Sequence, residues 1–225
     1  MKYKNVLDKI EEVLEGKAHL DELAKEKQDP FKILISTILS ARTRDSNTRI
    51  ATERLFSKYN TPKLIANADI EKLQDLIRAS GFYKVKAARI KEVSKILIGD
   101  HGGIVPDDFD ELINLPGVGA KTANCVLVYA FKIPAIPVDV HIHRIMNRLQ
   151  WVNTKKPEET EKALKILIPK KYWLDINRII VRFGQQICLP IRPKCDFCPI
   201  NDICPKDFSF EREKRKKKKK KSILT

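Results

Sequence analysis

The sequence contains no apolar run of the ~20 residues that a helix needs to cross a bilayer. Its first thirty residues lack a secretory pattern. No stretch alternates apolar and polar residues in the way of a half-buried strand, and there is no internal repeat. Acid is in short supply, with 29 Asp and Glu against 44 Lys and Arg, a net charge of +15. These absences exclude a spanning helix, a sheet-based fold and a solenoid. The chain is expected to be soluble and intracellular, with no membrane partner, and its charge calls for a polyanion. Cysteine is sparse as well, but four of the five fall together between positions 188 and 204. The fifth, Cys125, stands alone in an apolar segment and is expected to pack in the core.

What the chain does have is helical periodicity. Its 225 residues, 43% of them hydrophobic, suffice for the core of one large domain or two small ones. Val6, Leu7, Ile10, Val13 and Leu14 define one apolar face. Residues 31–40, FKILISTILS, are apolar nearly all round, which predicts a buried helix. Asp45 or Ser46 is expected to cap the next helix, Thr61-Pro62 to start another, and Asp69 to cap a third that Gly81 ends. Further helices are expected over 84–98, 107–113, 120–130, 140–150, 157–167 and 173–187. The fold class is all-α. Residues 212–221, REKRKKKKKK, supply +8 of the net charge and leave +7 for the rest, so the body is basic without its tail. The tail is expected to be disordered, serving either solubility or non-specific DNA tethering.

Residues 115–124, LPGVGAKTAN, join two apolar segments through a tight turn. Gly117, Val118 and Gly119 let a ligand approach the backbone. N–H groups at the following helix start lack intrahelical partners and carry the positive end of its dipole. That suits a phosphate, with no base preference. A plain helical corner using glycine for geometry explains the same residues.

This stretch resembles the helix-hairpin-helix of the endonuclease III family of DNA glycosylases. PAIPVDVHIHR resembles that family's Pro/Gly/Asp loop, LSARTRDSNTRIATERLF its early helix pair, and SGFYKVKAARI its G-[FY]-Y-x-x-K-A turn. The likeness runs over about residues 5–204. It implies two helical lobes: 24–131 as a six-helix barrel-like domain with the hairpin, and 1–23 plus 132–211 as a second domain carrying an iron–sulfur cluster loop, followed by the tail, 212–225. It also implies a bifunctional DNA glycosylase and abasic-site lyase of base excision repair. Such an enzyme would act as a monomer on double-stranded DNA with damaged bases or abasic sites. It would be cytoplasmic and nucleoid-associated, or nuclear in a eukaryote.

Lys121 occupies the family's nucleophile position. A free lysine, with a pKa of about 10.4, is a poor nucleophile at neutral pH. The dipole at a helix start and partial desolvation disfavour its cation and free the amine. From LPGVGAK alone, a surface lysine touching phosphate is the stronger reading. Asp139 opens a helix at VDVHIHR, where it would serve as N-cap regardless of catalysis. The resemblance makes it the carboxylate that stabilises a cationic sugar and helps deprotonate the lysine, facing Lys121 across a cleft between lobes. His141 and His143 are expected to be structural. The family's S-A-Q stretch, whose glutamine fills the gap left by an everted nucleotide, reads Ser40-Ala41-Arg42 here. Arg42 is expected to take that task, and Lys84 and Lys86 to line the DNA-binding face. Residues 31–43 contain no acid, which argues against the adenine glycosylase branch. A monofunctional mismatch glycosylase of the same fold and a non-catalytic DNA-binding module are the alternatives.

Cys188, Cys195, Cys198 and Cys204 suit a zinc ion or an iron–sulfur cluster, and disulfides are disfavoured inside a cell. Their spacing matches the family's cluster loop, which implies a [4Fe-4S] cluster. Arg192 and Lys194, between the first two cysteines, are expected to contact phosphate.

Overall fold

Asp29, Thr61, Asp69, Asp108 and Asp139 each precede a helix, and each side chain accepts first-turn N–H groups. Such caps satisfy donors that have no intrahelical acceptor. The computed structural model describes residues 2–16 and 29–209. The described residues are helical, and none is in a strand. The basic tail lies outside them, as do residues 17–28.

The chain divides into two compact units, Lys17–Pro137 and Met1–Gly16 with Val138–Thr225. The second break falls after Pro137, six residues beyond the expected one. Lys132 ends its helix in the left-handed region, the Ile133 N–H returns to the Leu127 carbonyl at 3.0 Å, and Ala135 and Ile136 are buried. These contacts keep 132–137 with the helix before them.

The Lys17–Pro137 unit contains α2 (Pro30–Ser40), α3 (Asp45–Phe56), α4 (Pro62–Asn67), α5 (Ile70–Leu76), α6 (Tyr83–Asp100), α7 (Phe109–Ile113) and α8 (Ala120–Phe131). Helix α2 packs against α3, α6 and α8, which is why its apolar residues run all round. Phe31, Ile33, Leu34, Ile35, Ile38 and Leu39 are all buried. At ~1.5–3 kcal/mol for each fully buried large side chain, this helix anchors the unit. Cys125 is buried in α8, as expected.

Two residues assigned to helix ends take other places than the sequence reading gave them. Arg44, not Asp45, precedes α3 and makes no side-chain cap, while Asp45 already stands in the first turn, where the dipole favours an acid. Helix α5 ends at Leu76, and Gly81 instead closes the next turn, where an added Cβ would stand 3.0 Å from the Arg42 carbonyl oxygen.

The other unit contains α1 (Lys2–Glu12), α9 (Val140–Arg148), α10 (Pro157–Leu167) and α11 (Trp173–Gln186). Helix α11 packs against both α1 and α9. Arg178 on α11 bridges Glu11 of α1 and Asp175, the latter at 3.0 Å. That guanidinium holds the Glu11 carboxyl below its ordinary pKa.

Candidate functional site

The hairpin is the end of α7, the turn 114–119 and the start of α8. The Val118 N–H donates to the Leu115 carbonyl at 3.0 Å, and the Val118 side chain is 6% exposed. Its donor and its side chain are both used inside the turn, so Val118 anchors the loop. Gly117 and Gly119 are exposed. Gly117 has φ +79°, and a Cβ there would meet the Arg89 Cδ at 2.7 Å. Glycine is therefore required twice, for the backbone conformation and for the close approach of Arg89. Gly119 is the N-cap of α8 and supplies no side-chain acceptor. Lys121, half-buried, stands in the first turn of α8. Exposed Arg89 beside the hairpin was missed by sequence reasoning; its only signal was the basic character of residues 84–98.

The Arg42 turn lies in the same unit. Arg42 is exposed with φ +53°. Phe82 has φ +58°, is 62% exposed, and its ring lies 5.8 Å from the Arg42 guanidinium carbon. A large exposed aromatic in a strained conformation beside an arginine is uncommon, and periodicity gave no sign of it. Lys84 is exposed, as expected. Lys86 is not: it is 3% exposed. Its ammonium donates to the carbonyls of Leu39 and Ala41, both at 2.7 Å, and to Thr43 Oγ1 and Ser80 Oγ, both at 2.9 Å. An ammonium whose three donors serve four internal acceptors has none left for DNA, so the expectation that Lys86 lines the DNA-binding face is corrected. Burial, and then the nearby Arg89 charge, push its pKa down to about 8, which still leaves it charged at neutral pH.

The remaining candidates belong to the other unit. Asp139, half-buried, caps α9 through Oδ1, which accepts the N–H groups of His141 and Ile142, each at 2.9 Å. His143 is buried, with Nδ1 2.7 Å from Thr160 Oγ1, a structural role as expected. The four cysteines line one cavity with Ile145, Arg148, Leu149 and Phe183. Among the described residues no three His, Cys, Asp or Glu side chains converge closely enough to hold a single ion. Burial raises the pKa of Cys188, Cys198 and Cys204, and the neighbouring cysteines raise them further. Four thiols around a shared space form a donor set that a polynuclear cationic core fits.

Arg148, which sequence reasoning missed, is 2% exposed. Its guanidinium donates to Cys188 Sγ at 3.2 Å and to the Leu189 carbonyl at 2.8 Å. Arg144 donates to the Cys188 carbonyl at 2.9 Å. Two arginines four apart in HIHRIMNR share one helix face, a signal that could have found them. Arg192, with φ +52°, and Lys194 are exposed on the same loop, beside exposed Ile191. The Lys194 N–H, bonded to the Ile187 carbonyl at 3.0 Å, ties that loop to the end of α11.

An all-helical chain with a glycine hairpin, a lysine just behind it and a four-cysteine loop has the make-up of a helix-hairpin-helix DNA repair protein. Residues 35–170 match the sequence profile of the HhH-GPD superfamily base excision DNA repair protein. "Endonuclease III" of Thermotoga maritima is 54% identical over 78% of this chain and 83% of its own length. The chain spans half the length of another relative, "Endonuclease III homolog 2, chloroplastic" of Arabidopsis thaliana, at 44% identity. Among solved structures, a non-covalent endonuclease III–DNA complex is similar at TM-score 0.81 and 34% identity, over 95% of this chain and 97% of that one. A trapped endonuclease III–DNA covalent intermediate is similar at TM-score 0.79, also at 34% identity, over 94% and 97%. The chain belongs to the endonuclease III family within that superfamily.

Proposed function

We propose that the chain is a bifunctional DNA glycosylase and abasic-site lyase of base excision repair, which removes damaged, oxidised pyrimidines from duplex DNA and cuts the strand 3′ to the resulting site. The observation that carries this reading is Lys121 in the first turn of α8, directly behind the Gly117–Gly119 turn. A positive helix end favours its neutral amine. The amine attacks C1′ of the everted nucleotide, and the new C–N bond forms as the bond to the base breaks. The base leaves with the electron pair and takes up a proton. Ring opening gives a Schiff base. Loss of a C2′ proton then expels the 3′ phosphate as the C3′–O bond breaks, and water releases the lysine. Asp139 serves as the carboxylate that stabilises the cationic sugar and accepts the lysine proton. Its one oxygen bonded to two N–H groups leaves the other for this task.

Gly117, Gly119, Lys84, Arg192 and Lys194 hold the phosphates of double-stranded DNA and Arg42 fills the gap left by the everted nucleotide, with the protein acting as a monomer. Cys188, Cys195, Cys198 and Cys204 would hold a [4Fe-4S] cluster. Such a cluster, when bound, would offset part of the charge of the four thiolates and staple the loop that presents Arg192 and Lys194. The arrangement of the thiols around a cavity supports this over a single zinc. Metal analysis of the isolated protein should find iron and acid-labile sulfide in equal amounts, and zinc instead would overturn the cofactor.

Borohydride trapping on duplex abasic DNA tests the reaction. The wild-type chain should form a covalent adduct that Lys121→Ala loses while still binding DNA. Base release without an adduct would make the enzyme monofunctional, and binding with neither would leave a DNA-binding module.

A further inference from the structure

We propose that Lys86 is a positioning residue for opening the duplex: its buried ammonium fixes the two turns that carry Arg42 and Phe82. This rests on the glycosylase reading above and concerns a step that reading does not assign to any buried group. The network joins two distant segments of sequence. Lys86 Nζ reaches the Leu39 and Ala41 carbonyls and Thr43 Oγ1 on one side and Ser80 Oγ on the other. Ser80 Oγ donates in turn to the Leu39 carbonyl at 2.9 Å, and the Gly81 N–H donates to Thr43 Oγ1 at 3.0 Å. Arg42 lies between two of the anchored residues, 41 and 43. Phe82 follows the anchored pair 80 and 81.

Both exposed residues adopt positive φ, a conformation that side chains with a Cβ avoid. It persists only where the surroundings over-determine it. Here the restraint is one cation bonded to both turns, at the carbonyl end of α2, where the helix dipole favours positive charge. No carboxylate among the described residues forms an ion pair with Lys86, so the backbone and hydroxyl acceptors are what hold it. The product of this arrangement is an arginine and an aromatic ring side by side on the surface. That pair suits the space an everted nucleotide leaves, since the ring can stack and the guanidinium can both stack and donate.

Lys86→Met keeps the apolar stem and removes every donor. It should lower kcat/KM on a duplex lesion by about tenfold. An abasic site in single-stranded DNA needs no gap to be filled, so borohydride trapping on that substrate should change by less than about twofold. In a background carrying Arg42→Ala and Phe82→Ala, the same substitution should cost less than about threefold on duplex, because coupled residues are not additive. Should Lys86→Met fail to fold, Thr43→Val, which removes one acceptor of Lys86 and the partner of Gly81, should show the same selectivity for duplex. Parallel losses on single and double strands, an unchanged duplex rate, or a full loss in the doubly substituted background would each overturn the proposal. A wild-type chain that traps neither substrate would instead overturn the lyase reading itself.

Discussion

The proposed mechanism gives Asp139 a second role besides capping, and substitution can separate the two. As the N-cap of α9 it accepts two N–H groups, and losing such a cap costs about 1 kcal/mol. Asparagine caps as well as aspartate but carries no charge. Asp139→Asn should keep the unfolding midpoint close to wild type while turnover falls by about a hundredfold or more. Asp139→Ala should lose both. Unchanged base release in the asparagine variant would remove Asp139 from the chemistry, whatever the melting curves show. Lys86 gives the opposite lesson, since a basic residue in a basic segment is not thereby a surface residue. Its four acceptors come from positions 39, 41, 43 and 80, and no local pattern reveals them.

The hairpin between α7 and α8 works only if its turn stays open. Gly117→Ala places a Cβ where φ is +79° and where the Arg89 side chain already lies. The left-handed conformation costs a residue with a Cβ roughly 1–2 kcal/mol. The variant should therefore bind duplex DNA about tenfold or more weakly, with the remaining helices intact by circular dichroism. Wild-type affinity would mean that the turn does not touch phosphate. In the other unit, Arg178 fixes α1 to α11 through Glu11. The Glu11 carboxyl titrates below its ordinary value in the folded chain. The pair thus contributes stability that is fully present above the ordinary carboxylate range and lost as pH falls through the lowered folded pKa. Glu11→Gln should flatten the acid limb of the stability profile below the ordinary carboxylate range. An acid limb identical to wild type would show that the pair contributes nothing measurable, as many exposed pairs do.

At the scale of the whole molecule the charge is divided between a basic body and the run at 212–221, which lies outside the described residues. Counterion release makes DNA affinity fall with salt in proportion to the phosphates neutralised. Removing residues 212–225 should weaken non-specific binding and reduce the steepness of that dependence, measured as the slope of log K against log salt. A slope equal to that of the full chain would make the tail a bystander.

The sequence by itself determined the helices, their caps at Thr61, Asp69 and Asp139, the glycine hairpin and the cysteine spacing. These are set by residues within a few positions of each other, through periodicity, capping and turn chemistry. The resemblance that led to the family rested on the same short motifs. The tertiary structure decided which polar groups go inside. It turned Val118 inward, enclosed Lys86, set Phe82 beside Arg42 and brought Arg148 to Cys188 across forty residues of sequence. Whether a cation is solvated or saturated by carbonyls depends on chain segments that meet only when the core closes, and a one-dimensional pattern does not record that meeting.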